Sequence, residues 1–255
     1  MLLAFDVGNT NIVCGVYKDR KLIKNWRIAT DTLQTADGYV ALLGTLFHLN
    51  QLEFDDVEDI IISTVVPPII PILETMSHRY FHVKPILVGP GIKTGLNILY
   101  DNPKELGADR IVNAVAAIAE YDCPLIIIDM GTATTISVVD DKKHYIGGMI
   151  MPGVQISLDA LTTRASQLSG ISIEEPKKII GKNTIDCMKS GILYGNAAAV
   201  DGIIDRIEEE LGQKVTVIAT GGMSRKIIPH CKRKMILDGD LLLKGLQIVY
   251  EKNKA

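Results

Sequence analysis

Residues 5–19, FDVGNTNIVCGVYKD, and residues 128–142, IDMGTATTISVVDDK, read as two copies of one pattern. Each has an apolar strand, an aspartate, a glycine among small amide or hydroxyl residues, a second strand and a charged turn. Asp6 falls over Asp129, Gly8 over Gly131 and Thr10 over Ala133, at an offset of 123 residues. That spacing is too long for a solenoid unit and is close to half the chain, so it implies one domain duplicated. The boundary is expected near Tyr121–Pro124, giving domains 1–121 and 122–255. Two such domains facing each other would hold a cleft between their small-residue turns.

The chemistry of those turns is specific. A glycine at the tip of a strand–turn–strand lets backbone N–H groups approach a phosphate, because no Cβ intervenes. Asn9, Thr10 and Asn11 add side-chain donors. An aspartate beside phosphates makes sense when a cation sits between them, usually Mg²⁺ that keeps several waters. The rival reading is a turn that only stabilises itself through Asx-type bonds. Two copies at the same place in two half-chains argue for the phosphate reading.

Between the turns, YVALLGTLFHLNQL carries Val40, Leu43 and Phe47 at helical spacing, and DIIISTVV is a buried strand stopped by Pro67 and Pro68. PIIPILETMSHRYF opens on proline and reads as a helix, PILV as a short strand, and GADRIVNAVAAIAEY as an alanine-rich helix. In the second half LDALTTRASQL is a candidate helix, and residues 184–211 read as helical despite Gly191, Gly195 and Gly202. KVTVIATGG is a buried strand ending on Gly221 and Gly222, where a flat ring or ribose can lie against backbone. LLLKGLQIVYEK is a helix.

Several other chemistries are disfavoured. GPGIKTG lacks the Gly-Lys-Ser/Thr core of a P-loop, since Lys93 follows Ile92. His78 and His82 are four apart on the predicted helix, but no HExxH glutamate accompanies them, so a solvated face is expected. Net charge is −3 with no basic stripe, which disfavours nucleic acid. An aspartate at position 6 interrupts the apolar opening, against a signal peptide, and no apolar run is long enough to span a membrane. Cys14, Cys123, Cys187 and Cys231 are far apart in apolar contexts and are expected to be reduced, buried thiols of a cytoplasmic protein.

GADR at 107–110 stands where a helix begins. A first-turn acid favoured by the helix dipole explains Asp109 without function. The functional alternative is a base, Asp109, that takes a proton from a substrate hydroxyl, beside Arg110 gripping a carboxylate through two parallel bonds.

DVGNTN, GADR, IDMGTATT, IGKNT and ATGG, in that order, resemble the acetate and sugar kinase, heat-shock chaperone and actin superfamily. Within it, the ordered set is similar to the type III pantothenate kinases over nearly the whole chain. The resemblance implies an α/β fold of two ribonuclease-H-like (actin-like ATPase) domains and a homodimer with a shared active site. It implies ATP-dependent phosphorylation of pantothenate, the first step toward coenzyme A, and dependence on K⁺ or NH₄⁺. Residue by residue, Asp6, Val7, Gly8, Asn9, Thr10, Asn11, Ile12 and Val13 match the first phosphate turn and Thr132 the second. Asp109 matches the proton acceptor and Asp129 the ligand of the monovalent cation. Tyr100, Gly107, Ala108, Asp109, Arg110 and Thr184 match the pantothenate pocket, Thr184 reaching the partner subunit's site. The chain departs from the family in reading QLSGIS, with Ser169, where members often carry proline, which leaves 166–175 unassigned. Two other readings share the turns: an ATPase whose nucleotide state drives partner binding, and a kinase of another small acidic alcohol. GADR favours a kinase over the ATPase; only the resemblance selects pantothenate.

Overall fold

The computed structural model describes residues 1–254. Leu2–Val7 (β1) is buried at every position but Asp6, which fits a central strand carrying one polar side chain near its end. β2 (Asn11–Lys18) and β3 (Lys21–Ala29) complete an antiparallel meander. Asp19 and Arg20 make the second turn with φ of 50° and 64°, the left-handed pair that matches strand twist in a two-residue hairpin. α1 (Ala36–Leu49) is capped by Thr35, whose side chain accepts the Gly38 N–H at 3.1 Å, and buries Tyr39, Leu43 and Phe47. β4 (Asp59–Thr64) pairs parallel with β1, α2 (Ile70–Tyr80) follows a short turn opened by Pro67, and β5 (Ile86–Leu87) closes the sheet. The sheet order is β3-β2-β1-β4-β5, with the core on the face of Leu3, Phe5, Val7, Ile60 and Ile62.

After β6 (Asn97–Ile98) and α3 (Ala108–Glu120), the pattern repeats. β7 (Leu125–Met130), β8 (Ala133–Val139) and β9 (His144–Pro152) form the second meander. α4 (Val154–Arg164) and α5 (Thr184–Leu211) lead to β10 (Thr216–Thr220), parallel to β7. α6 (Ser224–Ile227), β11 (Ile236–Leu237) and α7 (Leu241–Asn253) follow. The second sheet runs β11-β10-β7-β8-β9, the first order reproduced, with β6 added outside β9. Even the irregularity recurs: a register shift lies between Val16 and Tyr17 on β2 and between Val138 and Val139 on β8.

The registers correct the sequence alignment by one residue. Val7 pairs with Ile12 across the first turn, but Met130 pairs with Thr134 across the second, so the second turn is one residue shorter. Gly8 donates to the Asn11 carbonyl and Gly131 to the Ala133 carbonyl, both at 3.0 Å. Ala133 is therefore the counterpart of Asn11, and Thr132, not Ala133, that of Thr10.

The chain divides into two compact units. One contains residues 1–95, 102–116 and those from Leu242 onward; the other contains 96–101 and 117–241. A division at 121/122 gave α7 to the second half, but α7 packs in the first unit for identifiable reasons. Gly245 lets it approach the Val112 backbone, where an added Cβ would lie 2.1 Å from the carbonyl oxygen. Leu243 covers Gly15, Tyr250 donates to the Asp59 carboxylate, and the Asn253 amide donates to the Lys93 carbonyl at 2.8 Å.

Four local expectations change. The first helix after the second meander is α4, 154–164, rather than 158–168, because Gly153 and not Leu158 starts it. β9 was not read as a strand. His82 lies beyond the end of α2 at φ 56°, so the two histidines do not share a helix face, although both are exposed. Only Cys14 is buried; Cys123 and Cys231 are half-buried and Cys187 is exposed on α5. Burial and the Asp6 charge push the Cys14 thiol far up, and burial pushes Cys231 up to about 12, so both stay protonated at neutral pH.

In the second unit, buried Glu208 accepts from Arg233 at 2.5 Å and Lys214 at 2.6 Å, which holds its carboxyl down at about 2. A carboxylate with a depressed pKa stabilises the fold above its unfolded value and loses that contribution as pH falls through the folded one. Glu208→Gln should cost about 2 kcal/mol at pH 7. The gap to the unmutated protein should close between pH 4.5 and about 2, as read by denaturant melts across that range.

Candidate active site

The first turn and GADR, distant in sequence, are linked through Val65 at one end of the first sheet. Gly8 and Asn11 are half-buried, Asn9 and Thr10 exposed. The Thr30 hydroxyl donates to the Gly8 carbonyl at 2.7 Å and the Thr30 N–H to the Thr10 carbonyl at 3.1 Å, so β3 braces the turn from outside. Thr30 was not among the predicted residues; a lone threonine at a strand end carries no sequence signal. A Cβ on Gly8 would sit 3.3 Å from the Asn11 carbonyl oxygen, so the turn is tight. Val7 and Ile12 are fully buried in the core, which leaves only their backbone to face a ligand. Asp6 is half-buried between Val13 of β2 and Ser63 of β4.

The link to α3 runs through Val65. Its N–H donates to the Val7 carbonyl at 3.1 Å, and its side chain lies 3.9 Å from where a Gly107 Cβ would be. That Cβ would also sit 2.4 Å from Asp109 Oδ1. Gly107 is therefore small so that the Asp109 carboxylate can fold back over the helix start. There Asp109 accepts the Arg110 N–H at 2.8 Å. Burial raises the Asp109 carboxyl above its ordinary value, opposed by that bond and by the Arg110 charge. An unperturbed aspartate near 3.9, the plain sequence expectation, does not hold here. Arg110 is buried, 7% exposed, and Ala108 is the first residue of α3.

In the second unit, Asp129 occupies the position of Asp6, between Thr135 of β8 and Thr220 of β10. Gly221 follows Thr220 with φ 88°, and a Cβ there would lie 2.5 Å from both Asp129 Oδ1 and the Met130 nitrogen. Gly221 thus lets the chain cross directly over the carboxylate, a tighter constraint than a flat surface for a nucleoside. Gly222 is exposed. The buried Ser224 hydroxyl donates to the Gly221 carbonyl at 2.6 Å and fixes this crossing.

Thr132 is exposed at the tip of the second turn. Beneath it Gly153 packs so closely that a Cβ would be 2.1 Å from the Thr132 carbonyl oxygen and 2.7 Å from that of Gly131. Gly153 was also missed, since nothing local distinguishes it from a glycine that merely begins a helix. Tyr100 packs edge-on against buried Tyr145, with ring centroids 6.3 Å apart. Thr184 is the exposed first residue of α5, set by Asn183, whose side chain accepts the Asp186 N–H at 2.9 Å.

A family model described as type III pantothenate kinase matches residues 2–206. The chain is 53% identical over 254 residues to the type III pantothenate kinase of an Exiguobacterium species, covering all of both chains. It is 51% identical to that of Halalkalibacterium halodurans, covering 99% of this chain and 100% of the relative. Among solved structures, component A of the (R)-2-hydroxyglutaryl-CoA dehydratase from Acidaminococcus fermentans is similar with a TM-score of 0.59 at 12% identity, over 99% of this chain and 98% of the other. That likeness concerns the fold alone, a mixed α/β architecture with two sheets. With two sheets of one order, an aspartate-and-glycine turn in each, and full-length identity above one half to such a relative, the chain belongs to the type III pantothenate kinase family.

Proposed function

We infer that the chain is an ATP-dependent kinase that phosphorylates pantothenate at its primary hydroxyl. Family membership over nearly the full length carries this reading. Asp109 and Arg110, at the same sheet end as the Gly8–Asn11 turn, support the roles below. Asp109 accepts the hydroxyl proton, Arg110 grips the carboxylate of pantothenate, and Tyr100, Gly107, Ala108 and Thr184 also bind pantothenate. The backbone of the first turn, the Asn9, Thr10 and Asn11 side chains and Thr132 bind the phosphates of ATP. Gly221 and Gly222 bind its nucleoside end.

Among the described residues no three His, Cys, Asp or Glu are grouped for a metal. Single half-buried carboxylates fit a hard cation that completes its shell with water and phosphate oxygens. Asp6 would hold Mg²⁺ through water, and Asp129, crossed by the Gly221 backbone, would hold K⁺ or NH₄⁺. These ions would supply positive charge to offset that of the transferred phosphoryl group. The protein works as a cytoplasmic homodimer, consistent with exposed apolar residues that include Met149 and Ile150 on β9, Ile156 and Leu161 on α4, and Ile179, Ile180 and Ile185 around Thr184. Among the described residues no helix is long and apolar enough to cross a membrane.

The test is ADP release with ATP, Mg²⁺ and pantothenate in parallel K⁺ and Na⁺ buffers. Pantothenate-dependent turnover that drops sharply in Na⁺ is expected. Turnover indifferent to pantothenate would make the protein an ATPase or the kinase of another alcohol. Arg110→Ala should raise KM for pantothenate about 10–100-fold, the loss of a charge-assisted bond pair, with KM for ATP little changed. Arg110→Lys keeps the charge without the fork and should fall between. A rise confined to KM for ATP would remove Arg110 from the carboxylate role.

A further inference from the structure

Ser63 is fully buried on β4, and its hydroxyl finds no hydrogen-bond partner among the described residues. Leaving a buried hydroxyl unpaired is costly, so its retention asks for a reason. Its place supplies one. Ser63 is the direct parallel-strand neighbour of Asp6, so the two side chains leave the sheet on the same face from strands about 4.8 Å apart. It lies one residue inside the strand end where Val65 meets Val7 and, through Gly107, Asp109. The duplicated sheet keeps the arrangement: Asp129 is the parallel-strand neighbour of Thr220, which is 4% exposed. Apolar residues occupy most other interior positions of both strands, so a hydroxyl beside each carboxylate is a departure from the local pattern.

We propose that Ser63 is a positioning residue whose hydroxyl donates to the Asp6 carboxylate when metal–nucleotide binds. This rests on the reading that Asp6 holds Mg²⁺ through water. A hydroxyl donor on one carboxylate oxygen fixes which oxygen faces the metal's water shell, as outer-shell partners do for other metal-facing groups. In the free protein the unpaired hydroxyl does not stabilise the fold; its bond forms only in the loaded state.

A purely structural serine would affect stability and metal-dependent nucleotide binding together, whereas a positioning serine affects the second alone. Ser63→Ala should leave the melting temperature of the nucleotide-free protein unchanged or slightly higher. It should raise the Kd for MgATP about tenfold while changing the Kd for ATP in EDTA less than twofold, by calorimetry. Ser63→Cys leaves no cavity and weakens the donor, and should show the same selective loss, which guards against a cavity effect. Equal losses with and without metal, or no loss in either, would overturn the assignment. Asp6→Asn serves as the reference. If it abolishes the metal-dependent gain and Ser63→Ala does not, only the serine inference fails; if it leaves that gain intact, the metal reading fails and the inference with it.

Discussion

Asp109→Asn should lower kcat about 10²–10⁴-fold with little change in either KM, the range for loss of a general base. The substitution is conservative where it matters for folding. The asparagine oxygen still accepts the Arg110 N–H that Asp109 Oδ1 accepts at 2.8 Å, and the side chain still fits over Gly107. Stability should move the other way from activity. Burial raises the folded-state pKa of Asp109, so at neutral pH its charge costs folding energy, and that cost disappears as pH falls through the raised value. A neutral asparagine removes it at every pH, so the melting temperature at pH 7 should be equal or higher. The same shift predicts that kcat/KM of the unmutated protein falls on the acid side, with a midpoint above the ordinary aspartate value of 3.8, as Asp109 becomes protonated. Near-normal turnover of a folded Asp109→Asn protein would take the base role away from this residue.

Gly153→Ala is expected to damage both folding and activity. The glycine has φ −65° and ψ 160°, a conformation open to any residue, so strain in its own backbone is not the issue. The obstacle is the Thr132 carbonyl oxygen, 2.1 Å from where the methyl carbon would go. Because the clash is with backbone, either α4 or the turn must shift. Overpacking of this kind costs about 1–3 kcal/mol or more, which lowers the melting temperature by about 2–4 °C per kcal/mol in a domain of this size. A displaced turn should lose kcat/KM for ATP by about 100-fold, the scale of misplacement by about 1 Å. Gly191→Ala is the comparison, since a Cβ there meets open space within α5 and alanine is the better helix former. If the two variants melt and turn over alike, the second turn does not depend on Gly153.

The sequence displayed the elements that carry their own period and stops. β1 and β7 share the burial pattern interrupted only at Asp6 and Asp129, and α5 begins and ends at Thr184 and Leu211 as read. What it hid depends on partners far along the chain. Thr10 could not be matched to Thr132 without the strand registers, because one residue is missing from the second turn. β9 loses its alternation at Gly147 and Gly148, both at positive φ, and its outer half is largely exposed. Residues 165–183 form no helix or strand and are held instead by distant side chains. The Ser190 hydroxyl donates to the Ile179 carbonyl, Lys226 donates to that of Ile173 at 3.2 Å, and Lys189 pairs with Glu174 at 2.9 Å. In the candidate site, Gly107 and Gly221 were legible as motif glycines, whereas Thr30, Gly153 and Ser224 act through backbone contacts that no short pattern announces.

The docking of α7 in the first unit has a consequence for how the chain is made. On a ribosome the first sheet emerges early, yet the helix that covers Gly15 and ties Asp59 and Lys93 emerges only after residues 117–241. Vectorial, one-domain-at-a-time folding therefore suits the second unit and not the first, which keeps an open face until the residues of α7 have followed the second unit out.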